Sequence, residues 1–154
     1  MIKNLYLFDF DNTFVKQPEI YKWNPLSDEE DNEYMESTKS LEYDFEINEH
    51  IMEEFKRVEN CKESLRIILT NRTIKLRNEI LTILENKGIN FDATLFRIKD
   101  RSKGNRLNCF LNIISQSNKI ENVHFWDDKI KHIHDVNRIS ENYPNINFQL
   151  NLVR

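Results

Sequence analysis

Glycine is nearly missing from this chain. Two glycines and three prolines in 154 residues leave no material for a glycine-rich phosphate loop, so regular structure should outweigh turns. Cysteine is as scarce: Cys61 and Cys109 stand far apart and outside any C-x-x-C spacing. That fits two reduced thiols in a cytosol-like compartment rather than a disulfide framework. No apolar run approaches the ~18 residues of a membrane span, and Asp9 breaks the N-terminal run before signal-peptide length. The expectation is a soluble, cytoplasmic protein with no membrane partner.

What is present fits one globular domain spanning residues 1–154, with 39% hydrophobic and 11% aromatic residues to build a core. The net charge of −4 hides an asymmetry. Residues 28–46 hold nine acids and one lysine, leaving 17 acids against 21 bases elsewhere. An acidic stretch is thus set apart from a mildly basic body. It falls in an insertion at about 14–46 that lacks hydrophobic periodicity and contains Pro18 and Pro25.

The rest alternates between two periods. Leu5–Phe8 reads as a buried strand. From Ile47, with Asn48 as cap, Ile51, Phe55 and Val58 fall at helical spacing. Leu65–Thr70 is a continuous apolar run of the kind buried on both sheet faces. Ile74, Arg77, Ile80, Leu81 and Leu84 trace a second helix, with Gly88 as its C′ residue. Phe91–Ile98 is a third strand, and Leu107, Phe110, Leu111 and Ile114 mark a third helix. A strand through Trp126, a helix from Lys129 to about Ile139 and a closing strand INFQLNLV complete the count. Strand and helix in alternation predict an α/β fold with a mainly parallel five-stranded sheet.

In such a sheet ligands bind beyond the carboxyl ends of the strands. Asp9 and Asp11 follow the first strand, Thr70 and Asn71 the second, and Asp127 and Asp128 the strand VHFW. Any one pair reads as a solvated turn; three on one edge point to a site. Lys103 extends the apolar stripe of its helix and so faces the sheet, where a lysine needs an anion; snorkelling to solvent is the alternative, and Arg106 is the fallback. Two carboxylates one residue apart, with a third acid from another strand, form an oxygen-only site suited to Mg²⁺. A carboxylate beside that cation is placed to attack phosphorus and split one hydrolysis into two easier steps.

These residues resemble the haloacid dehalogenase (HAD) superfamily of phosphatases. Asp9-Phe10-Asp11-Asn12-Thr13 resembles its D-x-D-x-T signature, Thr70 its second motif, Lys103 its third, and Asp127-Asp128 a DD-type fourth. The resemblance implies a Rossmann-like, three-layer fold with a small flap-like insertion in place of a full cap. It implies Asp9 as nucleophile, Asp11 as general acid then base, and Lys103 as the charge on the phosphoryl group. Thr13, Thr70, Asn71, Arg72, Arg97 and Asp127 would line the substrate, with Asp127 orienting Lys103. Asp9, Asp128 and the Asp11 backbone carbonyl would hold Mg²⁺. Thr70-Asn71-Arg72, FRIKDRSK and DDKIKHI are similar to the polynucleotide kinase phosphatase domain and to Swiss Army Knife RNA-repair-like proteins, with Asn71 where those carry glycine and Lys129 where they carry arginine.

An open site admits RNA or DNA ends as well as small phosphoesters. Arg97, Lys99, Arg101, Lys103 and Arg106 are placed to meet a phosphate backbone, and Tyr21, Trp23 and Tyr34 to stack on bases. A solvated helix start and loop anchors are the plainer alternatives. His124, His132 and His134 are set aside as metal ligands because acids already supply a site. A binding module that takes Mg²⁺ and a phosphoryl mark without turnover is the rival of another class.

Overall fold

The structure is a computed structural model that describes residues 1–17 and 28–154. Tyr21 and Trp23, expected as stacking aromatics, and both insertion prolines lie outside those residues. In chain order the elements are β1 (Asn4–Phe8), β2 (Val15–Lys16), α1 (Asp28–Met35), β3 (Glu46–Ile47), α2 (Glu49–Arg57), β4 (Ser64–Thr73) and α3 (Arg77–Glu85). Then follow β5 (Ala93–Arg97), α4 (Lys103–Ile114), β6 (Asn122–Asp127), α5 (Ile130–Ser140) and β7 (Asn147–Leu152).

The expected parallel sheet is present, in the order β5-β4-β1-β6-β7. β1 is central because its side chains are apolar on both faces. Leu5 and Leu7 enter one core with Ile67, Leu69, Val123 and Phe125 under α4 and α5. Phe8 enters the other with Ile68 and Trp126 under α2 and α3. Helices on both faces make three layers, a Rossmann-like α/β arrangement. Phe8 pairs in register with Ile68 on one side and Trp126 on the other, and its ring stacks on Trp126 at a centroid distance of 4.7 Å. This register sets the ends of β1, β4 and β6 side by side.

Two local signals read from sequence are realised. The Asn48 side chain accepts from the His50 N–H at 3.2 Å and caps α2. Gly88, at φ +76°, lets the Ile89 N–H reach the Leu84 carbonyl at 2.9 Å beyond α3, and both apolar side chains are buried.

The insertion differs from expectation. Its acidic stretch contains α1, a 3₁₀ turn at Thr38–Leu41 and β3, which pairs antiparallel with β2 through Val15 and Ile47. α1 carries no apolar stripe, so periodicity could not reveal it; its early acids favour the positive end of the helix dipole instead. Phe10, Phe14, Val15, Leu41 and Phe45 are buried and anchor the segment to the core. The second long strand also runs on past Thr70 to Thr73. Among the described residues no helix is long and apolar enough to cross a membrane.

Candidate active site

Asp9 prolongs the β1 ladder by one residue, donating its N–H to the Trp126 carbonyl at 3.0 Å. Beyond it Asn12 takes a left-handed φ of +57°, and the chain folds back so that the buried Thr13 hydroxyl donates to Asp9 Oδ2 at 3.0 Å. The other Asp9 oxygen accepts from Lys103 Nζ at 2.8 Å. Lys103 is the first residue of α4, behind the N-cap Ser102, whose hydroxyl accepts from the Asn105 N–H at 3.1 Å. Its side chain is buried and also donates to Asp127 Oδ2 at 2.5 Å. The inward lysine has two anions.

Gly104 sets how closely α4 approaches α5. A Cβ there would lie 2.8 Å from the Asp135 carbonyl oxygen, while its N–H donates to Asp135 Oδ2 at 2.6 Å. Sequence reading gave neither residue a role, since nothing local marks a glycine chosen for a close approach.

Asp9, Asp127 and Asp128 each offer an oxygen within 4.8 Å of the others. Burial is the largest influence on Asp9; Lys103 opposes it, Asp127 and Asp11 reinforce it, and the carboxyl is pushed up to about 8. Burial likewise raises Asp128. For Asp127 burial is overcome by hydrogen bonds from His132 and Lys103, which hold the carboxyl below its usual range. Burial also works against the Lys103 ammonium, but Asp9 and Asp127 outweigh it and raise its pKa. Three carboxyl groups thus share one ammonium, too little positive charge for all three to ionise freely. An all-oxygen donor set of this kind fits Mg²⁺.

Asp11 points its carboxylate elsewhere. Arg72 grips both of its oxygens, Nε at 2.8 Å and Nη2 at 2.9 Å, and Gln17 Nε2 donates to Oδ1 at 2.7 Å. The same buried guanidinium donates to the Met35 carbonyl at 2.8 Å and to the Ser40 hydroxyl. Arg72 therefore ties Asp11 to the insertion. The Thr70 hydroxyl, also buried, accepts from the Arg72 N–H at 3.1 Å.

Asp9, Asp11, Asn71, Arg72, Arg97 and Lys103 share a cavity of about 570 Å³ with Asp128, while Thr13, Thr70 and Asp127 stand behind it. The fallback Arg106 is not the inward cation at the acids. It is buried and donates to the carbonyls of Thr70 and Leu95 and to Asn71 Oδ1; burial, with Arg97 nearby, lowers it to about 10. The expected basic edge is accordingly smaller, because Lys103 and Arg106 turn inward and Arg97 pairs with Glu36. Lys99 and Arg101 remain exposed on it. Tyr34 is held within its own segment, its hydroxyl 3.2 Å from that of Tyr43. His132, read in the sequence as part of the DDKIKHI stretch and set aside as a metal ligand, lies against Asp127 with Nδ1 at 3.0 Å. Its spacing from Asp127, over a strand end and one helical turn, was the available signal.

No curated protein matches the sequence. Among solved structures, a chain of the Pnkp1/Rnl/Hen1 complex superposes with a TM-score of 0.61 at 15% identity, over 99% of this chain and 47% of that one. A second structure, of the Pnkp1/Rnl/Hen1 RNA repair complex, gives 0.62 at 18% identity over 98% and 43%. SP0104, a haloacid dehalogenase-like family hydrolase from Streptococcus pneumoniae, gives 0.62 at 13% identity over 90% and 81%. The likeness at these identities is one of fold, and this chain spans less than half of the two Pnkp1-complex chains. The sequence itself matches a family model over residues 15–153, a range that starts just after Asp9–Thr13. The chain belongs to HAD domain family 1 in Swiss Army Knife RNA repair proteins.

Proposed function

We propose that the protein is a Mg²⁺-dependent phosphomonoester hydrolase that works through a phosphoaspartate at Asp9 and acts on phosphate ends of nucleic acid. Family membership supports a phosphatase-like hydrolase. The observation that carries the finer reading is Lys103, held between Asp9 at 2.8 Å and Asp127 at 2.5 Å beside Asp128.

In this reading the Asp9 carboxylate attacks phosphorus while Asp11, protonated and turned from Arg72 to the substrate, gives its proton to the departing alkoxide oxygen. Asp11 then takes a proton from the water that attacks the acyl phosphate, releasing inorganic phosphate and restoring Asp9. Lys103, the Thr70 hydroxyl and the Asn71 main-chain N–H stabilise the phosphoryl oxygens. Thr13 fixes the Asp9 rotamer, Asp127 holds Lys103, and Arg72 holds Asp11. Asp9, Asp128 and the Asp11 carbonyl would hold Mg²⁺, which neutralises charge on the phosphate and on the clustered acids. The described part of the insertion, which brings Asp31, Asn32, Met35 and Glu36 to the cavity, acts as a flap there, with Arg97 at its rim.

Nucleic-acid ends as substrate rest on the family and on the exposed Lys99 and Arg101. A small-molecule phosphatase is favoured instead by one observation, the Glu36 carboxylate that occupies Arg97. The test is a panel of p-nitrophenyl phosphate, nucleoside monophosphates and DNA or RNA oligomers with 3′- or 5′-phosphate ends, with Mg²⁺ or with chelator. Absence of Mg²⁺-dependent phosphate release from every member would refute the reading and favour a binding module.

A further inference from the structure

Three side chains beside the site have no part in the bond-making steps, yet they join end to end: those of Arg106, Asn71 and His132. Arg106 Nη2 meets Asn71 Oδ1 at 2.5 Å. Asn71 Nδ2 lies 3.2 Å from His132 Nε2. His132 Nδ1 lies 3.0 and 3.2 Å from the two Asp127 oxygens. Asp127 in turn accepts from Lys103 Nζ at 2.5 Å and from the Lys129 N–H at 2.9 Å.

Donor and acceptor chemistry gives this chain a direction. A guanidinium has five N–H donors and nothing with which to accept, so the Asn71 atom facing Arg106 is the amide oxygen. The Asn71 NH₂ therefore faces His132, and it can only donate. His132 Nε2 must accept, which in a neutral imidazole leaves the proton on Nδ1. That N–H points at a carboxylate. Arg106 is well placed to impose the order, since it is itself fixed by the carbonyls of Thr70 at 2.5 Å and Leu95 at 2.8 Å.

We propose that Asn71 and His132 are positioning residues: Asn71, oriented by Arg106, sets His132 as a neutral Nδ1–H donor that keeps Asp127 turned toward Lys103. The opposite tautomer would aim a lone pair at the carboxylate and push it away from the lysine. Asp127 thus serves to hold the Lys103 ammonium at Asp9. Asn71 does in one side chain what a glycine at the same place could not, because it links the end of β4 to both α4 and α5.

The consequence for rate rests on the phosphatase reading; the tautomer does not, and the two are tested apart. Long-range ¹H–¹⁵N correlation spectra of the wild-type chain at pH 7.5 should show His132 neutral, with a protonated Nδ1 and a bare Nε2. In Asn71→Ala the Nδ1–H population should fall, with Nε2–H appearing. Wild-type spectra with Nε2–H or a doubly protonated ring, or an Asn71→Ala spectrum identical to wild type, would overturn the proposal. In turnover, His132→Leu should lower kcat by roughly 10–100-fold, the usual cost of losing such an orienting partner, with KM within about twofold. His132→Asn, whose amide can still donate to Asp127, should recover at least half of that loss on a logarithmic scale. Equal kcat for the Leu variant and wild type would overturn the positioning role, whereas a wild-type chain without activity but with the expected tautomer would sink only the phosphatase reading.

Discussion

Replacing Asp9 by Asn should abolish turnover and, in the absence of metal, stabilise the fold. Asp9 is 5% exposed and shares its pocket with Asp127 and Asp128, and burial holds its carboxyl up to about 8. An unfolded aspartate ionises near ~3.9. From about pH 4 to 8 the unfolded chain has therefore lost a proton that the folded chain keeps, so stability falls through that window and the full cost is present above it. Each unit is worth about 1.4 kcal/mol, which puts the ceiling on the order of 5 kcal/mol. Relaxation around Lys103 and sharing of protons with Asp128 reduce it, and about 2 kcal/mol is a fair expectation. For a chain of this size that is a rise in Tm of roughly 4–8 °C. The assay is thermal unfolding in chelator at pH 8.5 and pH 4.5, beside p-nitrophenyl phosphate hydrolysis. The variant should melt higher at pH 8.5, match wild type at pH 4.5, and show no hydrolysis; Mg²⁺ should raise the wild-type Tm more than that of the variant. A variant that melts lower than wild type at pH 8.5 would refute the electrostatic account. A folded variant with undiminished hydrolysis would exclude the phosphoaspartate.

Asp11→Asn should stay folded and bind a phosphate analogue but turn over at least ~10²-fold more slowly, the usual size of general acid–base assistance; a loss under threefold removes Asp11 from that role. Arg72→Leu removes the bidentate partner of the Asp11 carboxylate and one donor each from the Met35 carbonyl and the Ser40 hydroxyl, and should destabilise by roughly 2–4 kcal/mol in urea unfolding; a change below about 1 kcal/mol would show that the tie between insertion and site is weak. A phosphate-ended oligonucleotide should outperform the matching mononucleotide, by a margin that falls steeply with salt. Arg101→Ala should erode that margin without affecting p-nitrophenyl phosphate, and Lys103→Ala should damage both reactions. Equal efficiency on monomer and oligomer at low salt would favour a small-molecule phosphatase.

The sheet and the acids at its edge were legible because each rests on a short-range signal. Apolar runs such as LRIILT fix buried strands, and carboxylates at the ends of two of them stand out against that background. Lys103 was legible for the same reason, as a charge on an apolar stripe. α1 was not, since a helix held by its dipole and by Arg72 rather than by an apolar face leaves no periodic trace. Nor was the choice between Lys103 and Arg106, which lie one turn apart on similar faces and differ only in whether the nearest acceptors are carboxylates or main-chain carbonyls. Arg72 and His132 belong to the same class: their roles depend on partners brought in from 61 and five residues away, and only the folded register decides which contact forms.

The central place of β1 also has a consequence in time. The first strand of the chain finds its neighbours 60 and 118 residues downstream, as the contacts from Asn4 to Ser64 and to Asn122 measure. Such distant pairings make the sheet slow to assemble compared with a helical domain of equal length. During synthesis Asp9 is made before Lys103 and Asp127 and waits without them until β6 has left the ribosome. An interrupted chain that stops short of β6 therefore carries the D-x-D-x-T segment but no lysine–aspartate pair to set against it, and in a coupled translation assay phosphatase activity should appear only after β6 has been made.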